Sequence, residues 1–141
     1  MTKASFYILG ADTQAARAAF VAKFIRQSVR KGLDVHLHVA DETAAEQWDA
    51  ALWADDEGFI AHEIERPTAP SPAPVGIGWE DPAGRHGILI NLGGPLPDWF
   101  SHFDHLVEVV IQSPTVLAET RANWQHLKQF GYPLTQHDLR S

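Results

Sequence analysis

The feature that most constrains the fold is the alternation of short apolar runs with long amphipathic segments. The run Ser5–Leu9 is too short for a helix and Gly10 follows it, so we predict a buried first strand. Over Thr13–Lys31 apolar residues recur every three or four positions, which predicts a helix that Gly32 terminates. The segment Asp34–Ala40 alternates Val and Leu with His, and this period of two predicts a second strand.

The rest of the chain continues the alternation. A second helix is predicted to open with a capping box formed by Thr43 and Glu46 and to end at about Trp53. Apolar runs bounded by turn residues predict three further strands, which are Val75–Trp79, Gly87–Leu92 and His105–Ile111. The last helix is predicted to begin at Pro114, with Ser113 as its N-cap, and to run to Phe130. This order indicates an α/β fold with three layers, in which helices flank a mainly parallel central sheet.

The length of 141 residues is typical of one domain, so we expect a single domain over residues 1–141. Four prolines fall within residues 67–74, which excludes a helix or a central strand there. We predict a proline-rich surface loop at about 65–74. It is placed within the domain, because the two halves on either side would be too small to fold alone.

Composition excludes several classes of function. The chain has no cysteine, which removes disulfides, zinc fingers and thiol nucleophiles. Its formal net charge of -7 disfavours a main partner that is a phosphate backbone, so nucleic acid is expected to be contacted only indirectly. The apolar run near the N-terminus is too short for a signal sequence or a membrane span. We therefore expect a cytoplasmic protein with no membrane partner.

Motifs for catalysis are missing. No glycine-rich phosphate-binding turn follows the first strand, and no G-x-S-x-G elbow occurs. His36 and His38 share a face of a strand and His102 and His105 are spaced to share a helical face, but neither pair has an obvious third ligand. We expect no catalytic residue, cofactor or metal. The alternatives are a small metal- or nucleotide-dependent α/β enzyme using His36 or His38, and a direct single-stranded DNA binder that stacks bases on the five tryptophans.

The last helix carries the most informative pattern. One face of this helix can pack on the sheet, and it consists of Val116, Thr120, Leu127 and Phe130. A neighbouring stripe is basic and aromatic, and it consists of Leu117, Arg121, Trp124 and Lys128. The stripe suits a pocket for an acidic peptide, since a guanidinium binds a carboxylate beside apolar surface. A half-buried tryptophan flanked by solubilising charges explains the same spacing, and spacing alone leaves both interpretations open.

Taken in order, several segments resemble the chi subunit of bacterial DNA polymerase III. They are SFYIL, ALWA followed by Gly58-Phe59 and His62, PVGIGW, ILINL, F-x-x-L-V-E-V-V from Phe103, and R-x-x-W-x-x-x-K-x-x-G-Y-x-L from Arg121. The similarity covers essentially the whole chain. It implies a Rossmann-like domain without nucleotide chemistry and a non-catalytic accessory subunit of the replicase.

The resemblance also implies two partners. Chi proteins bind the psi subunit, which joins them to the clamp loader, and the acidic C-terminal tail of single-stranded DNA-binding protein (SSB). The tail site implied by the family falls on Arg121 and Trp124, with Lys128 contributing and Leu117 beside the tail's terminal ring. Gln125 occupies a position where chi proteins often carry a basic residue, so this site has less positive charge.

The psi contact implied by the family falls around Trp53 and Phe59. Ordinary core packing explains these two residues equally well, since they belong to an apolar cluster that must be buried somewhere. We expect a monomer in isolation and a heterodimer with psi.

Overall fold

Seven strands and three α-helices are present in a computed structural model that describes residues 1–55, 57–58, 60–65, 73–82 and 84–140. The strands are β1 Lys3–Ile8, β2 Val35–His38, β3 His62–Ile64, β4 Val75–Gly78, β5 Ile88–Asn91, β6 His105–Val110 and β7 Leu134–Asp138. The helices are α1 Gln14–Arg30, α2 Glu42–Ala54 and α3 Pro114–Gln129, with a short 3-10 helix at Phe100–His102. In the part of the chain described, no helix is long and apolar enough to cross a membrane.

All seven strands belong to one sheet with the order β3-β4-β2-β5-β6-β1-β7, and every pairing is parallel. Parallel strands require crossover connections. Helices α1, α2 and α3 supply those from β1 to β2, from β2 to β3 and from β6 to β7, and the segment with the 3-10 helix connects β5 to β6. The predicted three-layer α/β fold is confirmed, and its architecture is Rossmann-like.

The two faces of the sheet carry different side chains. Helices α1 and α2 cover a cluster that is aliphatic apart from Trp48 and includes Val21, Ile25, Val35, Leu37, Ile77, Ile90 and Val107. Helix α3 and the segment around the 3-10 helix cover a second cluster that includes Ala4, Phe6, Leu89, Phe100, Phe103, Leu106, Val110 and Leu127. Burial of each large aliphatic side chain contributes about 1.5–3 kcal/mol, so the two clusters fix both helix layers on the sheet.

A row of polar side chains crosses the second face. His38 on β2 lies in register with Asn91 on β5, which lies in register with Glu108 on β6. Burial raises the pKa of Glu108 to about 8, although hydrogen bonds from Asn123 and Asn91 favour its charged form. The Glu108 carboxyl group is therefore largely protonated in the folded protein at neutral pH.

Two strands at the sheet edges were not predicted. β3 has only three residues, and β7 reads Leu-Thr-Gln-His-Asp, which is mostly exposed. Each is an edge strand that pairs on one side only, with β4 and β1 respectively. A short or polar edge strand has little hydrophobic pattern of its own, because only its partner strand and one covered face stabilise it.

The predicted capping box of α2 is wrong. The helix begins at Glu42, and Asp41 is its N-cap: the Asp41 carboxylate accepts a hydrogen bond from the Ala44 backbone N–H at 2.9 Å. Thr43 instead lies inside the first turn. The start of α3 at Pro114 with Ser113 as N-cap is confirmed.

The predicted proline-rich loop falls mostly on residues 66–72, which lie outside the described residues. Its first residue does not lie at the surface as predicted. Glu65 is buried, and its Oε1 accepts a hydrogen bond from Arg85 Nε at 2.7 Å. Arg85 also donates to the backbone carbonyls of Ala73 and Pro74, so one buried guanidinium holds both ends of this segment.

Candidate functional site

A groove lies where β1 and β6 end. β1 leads into α1 on one face of the sheet, while the neighbouring β6 leads into α3 on the other face. This divergence leaves a crevice at the carboxyl ends of the two strands, the usual position of binding sites in open parallel sheets. We call it the α3 groove; its volume is about 350 Å³, and it is lined by Phe6, Ile8, Val110, Gln112, Leu117, Thr120, Arg121, Trp124, Gln136 and Arg140.

The groove is apolar at its base. Phe6 and Ile8 project from β1 and Val110 from β6, and Leu117 and Trp124 project from α3. The Trp124 ring meets the Phe6 ring edge-on, with centroids 5.0 Å apart and an interplanar angle of 74°. This contact fixes the half-buried indole in one orientation, so the groove has a preformed aromatic wall.

Two guanidinium groups, those of Arg121 and Arg140, also line the groove. Arg121 is exposed on α3, and no carboxylate among the described residues forms an ion pair with it. Arg140 follows β7 and is held by Asp138. The groove therefore combines apolar surface with cationic groups, in a chain whose net charge is negative.

Three of the four residues predicted for the tail site come together. Leu117, Arg121 and Trp124 line the groove, whereas Lys128 is exposed one turn further along α3 and is not among its lining residues. Of the residues predicted to pack on the sheet, Leu127 is fully buried. Phe130 does not pack there: it is 59% exposed, and its ring contacts His126 at 4.8 Å.

Buried polar contacts position α3 on the sheet. Asn123 Nδ2 donates to Glu108 Oε1 at 2.6 Å and to the Gly94 carbonyl at 2.9 Å, and Asn91 Nδ2 donates to the same carbonyl at 2.8 Å. Gly94 has φ +89°, a conformation that favours glycine, and a Cβ there would meet the Glu119 carboxylate. Asn123 lies between Arg121 and Trp124 in the sequence of α3. The network therefore fixes the distance of α3 from the sheet and its rotation about its own axis, and with them the positions of Arg121 and Trp124.

Seven of the ten groove residues were not predicted as part of the site, among them Arg140, Gln136 and Phe6. Phe6 belongs to a strand that was predicted as core. Gln136 belongs to β7 and Arg140 follows it, and this strand has no apolar signal. A parallel strand pairing over more than a hundred residues brings them to the site.

The residues predicted for the psi contact lie at another edge. Trp53 is at the end of α2 and is 59% exposed, and its ring lies 4.9 Å from that of His62 on edge strand β3. His62 Nε2 is 3.1 Å from Asp49 Oδ1 on α2. Phe59 lies outside the described residues. Trp53 is therefore not core, and it forms an apolar surface beside an edge strand.

Of the two histidine pairs, one is confirmed: His36 and His38 share a face of β2. Both rings pack near Trp99. Burial lowers the pKa of His36. Burial, together with electrostatic repulsion from the neighbouring His36, lowers the pKa of His38 to about 4. His102 ends the 3-10 helix and His105 begins β6, so the predicted shared helical face is wrong. Among the residues with described positions, no group of three His, Cys, Asp or Glu side chains could hold a metal ion.

Comparison with known proteins connects this architecture to one family. The family described as "DNA polymerase III chi subunit, HolC" matches residues 1–135. A protein named DNA polymerase III subunit chi from Pseudomonas aeruginosa is 31% identical over 140 residues, which cover 99% of this chain and 98% of the relative. One of the same name from Haemophilus influenzae is 24% identical over 139 residues, or 96% of each chain. The chain therefore belongs to the DNA polymerase III chi subunit family, accessory subunits of the bacterial replicase.

Proposed function

We propose that this protein is a non-catalytic tether that binds the acidic C-terminal tail of SSB in the α3 groove. The observation that carries the proposal is Arg121, an exposed guanidinium at an apolar groove walled by Trp124. Family membership supports the same function, because the resemblance to chi proteins implies a tail site on these residues.

The chemistry of the tail suits the groove. The tail ends in a phenylalanine that bears the terminal carboxylate. Arg121 binds that carboxylate through charge-assisted hydrogen bonds, while Trp124 and Leu117 contact the phenyl ring. A guanidinium at the surface is screened by salt, so binding is modest and weakens as ionic strength rises.

A modest affinity is sufficient for tethering. SSB is oligomeric and presents several tails, so the effective concentration of tails near one bound chi protein is high. A weak single contact then retains the replicase on coated template, while each tail still exchanges quickly.

A contact with psi is the second part of the proposal, and it uses the surface around Trp53 and Phe59. The specific observation in its favour is the exposure of the Trp53 ring beside edge strand β3. Exposed tryptophans are frequent energetic centres of interfaces, because they bury a large area at low entropic cost. Psi joins the clamp loader, so the protein holds the clamp loader to SSB.

Direct binding of single-stranded DNA is a weaker explanation of the tryptophans. Stacking requires exposed rings along a basic groove. Of the five tryptophans, Trp48 is buried, Trp79, Trp99 and Trp124 are partly buried, and Trp53 is exposed. The observation favours a protein partner, and DNA is reached through SSB.

The test is titration of the full chain with a fluorescent peptide that carries the SSB C-terminal sequence. We expect saturable binding that weakens with salt, with Arg121→Ala, and with removal of the terminal phenylalanine. Arg30→Ala is the matched control, because it removes an exposed arginine from α1 on the other face of the sheet. An Arg121→Ala affinity equal to wild type, or no binding by the wild type at low salt, would reject the proposed site.

A further inference from the structure

Arg140 is a groove residue that lies beyond the family match, which ends at residue 135. The sheet fixes its position. β7 pairs with β1 up to Asp138, and the next backbone N–H, that of Leu139, donates to the Ile8 carbonyl at 2.8 Å. Arg140 then passes over Gly10, where an added Cβ would lie only 3.6 Å from Arg140 Cα. Its side chain therefore reaches the groove from the strand opposite α3.

Asp138 holds the Arg140 guanidinium in a two-point ion pair. Arg140 Nε donates to Asp138 Oδ1 at 2.9 Å, and Nη2 donates to Oδ2 at 2.6 Å. The backbone N–H of Arg140 donates to Oδ1 as well, at 3.1 Å. The pairing lowers the pKa of Asp138 to about 2, so this carboxylate is charged at every physiological pH.

The geometry of this pair is that of a guanidinium bound to a ligand carboxylate. We propose that Arg140 is a second carboxylate-binding residue of the α3 groove. Asp138 lowers the groove's affinity for acidic peptides because it occupies the Arg140 guanidinium. The inference rests on the proposed function and identifies residues that set the specificity of that site. An acidic peptide has side-chain carboxylates besides its terminal one. Arg121 and Arg140 therefore bind two different carboxylates of the same peptide.

Arg140 brings a second cation to the groove, from an element other than the helix that carries Arg121. Both members of the Asp138–Arg140 pair are exposed. An exposed ion pair contributes little free energy, so an incoming carboxylate can displace Asp138 and the pair changes the affinity only by about two- to fivefold.

A double-mutant cycle tests this competition, with the SSB tail peptide as the probe. The variants are Asp138→Asn, Arg140→Ala and the double variant, measured by fluorescence anisotropy at low salt. We expect Asp138→Asn to tighten binding by about two- to fivefold when Arg140 is present and less than about twofold when Arg140 is Ala. Arg140→Ala alone weakens binding.

The matched control is Asp104→Asn, the same charge change at the opposite end of the sheet, just before β6. It should leave the affinity unchanged. An equal gain from Asp138→Asn in both backgrounds would mean that Asp138 acts only through its charge, and wild-type affinity in Arg140→Ala would exclude Arg140 from the site; either result overturns the inference. If binding requires Arg121 but is unaffected by Asp138→Asn and Arg140→Ala, only the role of Arg140 is rejected. If neither the wild type nor any variant binds the peptide, the proposed function is rejected as well.

Discussion

The side-chain amide of Asn123 donates a hydrogen bond to the Glu108 carboxyl group at 2.6 Å, between α3 and the centre of the sheet. Both residues are buried, and Arg17 and Glu119 are the charged groups that act on Glu108. The contact ties the helix that carries Arg121 and Trp124 to β6. The protonation state of Glu108 therefore affects both the stability of the fold and the position of the groove.

The stability of the protein should decrease as pH rises because of Glu108. Its pKa is about 8 in the folded state, against an ordinary value of 4.5, so between these values the folded chain binds a proton that the unfolded chain releases. The free energy of unfolding then decreases with rising pH, by at most about 1.4 kcal/mol per unit. Glu108→Gln removes this dependence, so its stability relative to wild type should increase from pH 5 to pH 8.

Urea unfolding at three pH values measures that difference. Glu46→Gln, the same change at an exposed position on α2, is the control and should parallel wild type throughout. A difference between Glu108→Gln and wild type that does not vary with pH would show that Glu108 is already ionised in the folded state.

The start of α2 provides a test of the corrected N-cap. Asp41→Ala removes the acceptor for the Ala44 N–H and should lower the free energy of unfolding by about 1 kcal/mol. Thr43→Ala should be neutral or slightly stabilising, since alanine is the better helix former inside the first turn. Thermal or urea unfolding compares the two variants, and a larger loss for Thr43→Ala would restore the capping box.

Arg121 and Lys128 should differ in tail binding, although both are exposed on α3. Arg121 lines the groove and Lys128 does not. Loss of a charge-assisted hydrogen bond predicts an affinity about tenfold lower for Arg121→Ala and less than about twofold lower for Lys128→Ala. Peptide titration at two salt concentrations measures both, and equal losses would indicate a general effect of charge instead of a defined site.

The buried Glu65–Arg85 pair should be needed for stability. Arg85→Met leaves the Glu65 carboxylate buried beside it without the guanidinium and should cost about 3 kcal/mol. Gly76→Ala tests the same pair independently, because a Cβ at Gly76 on β4 would collide with the Glu65 side chain. Urea unfolding of both variants is the measurement, and a loss below about 1 kcal/mol in each would contradict the importance of the pair.

Trp53→Ala should separate partner binding from folding. The side chain is 59% exposed, so its removal should change stability by less than about 1 kcal/mol. Affinity for psi should fall by about tenfold if the ring is an interface centre. Co-purification and titration with psi test this, with Leu33→Ala, another exposed apolar residue, as control. Unchanged psi binding would remove Trp53 from the proposed interface.

The strongly patterned elements were predictable from the sequence. β1, β2 and α1 have the periods that distinguish strands from helices, and burial of one face enforces those periods in any tertiary context. The stripe on α3 was predictable for the same reason, because helical geometry alone places Leu117, Arg121 and Trp124 on one side.

What only the tertiary structure decided depends on residues distant in sequence. β3 and β7 are strands because a neighbouring strand offers hydrogen bonds, and neither has enough apolar pattern to indicate it alone. The pairing of β7 with β1 then brings Arg140 to the groove opposite Arg121. Local periodicity determines secondary structure and the faces of helices, whereas the composition of a site formed by several strands depends on long-range pairing that no local pattern encodes.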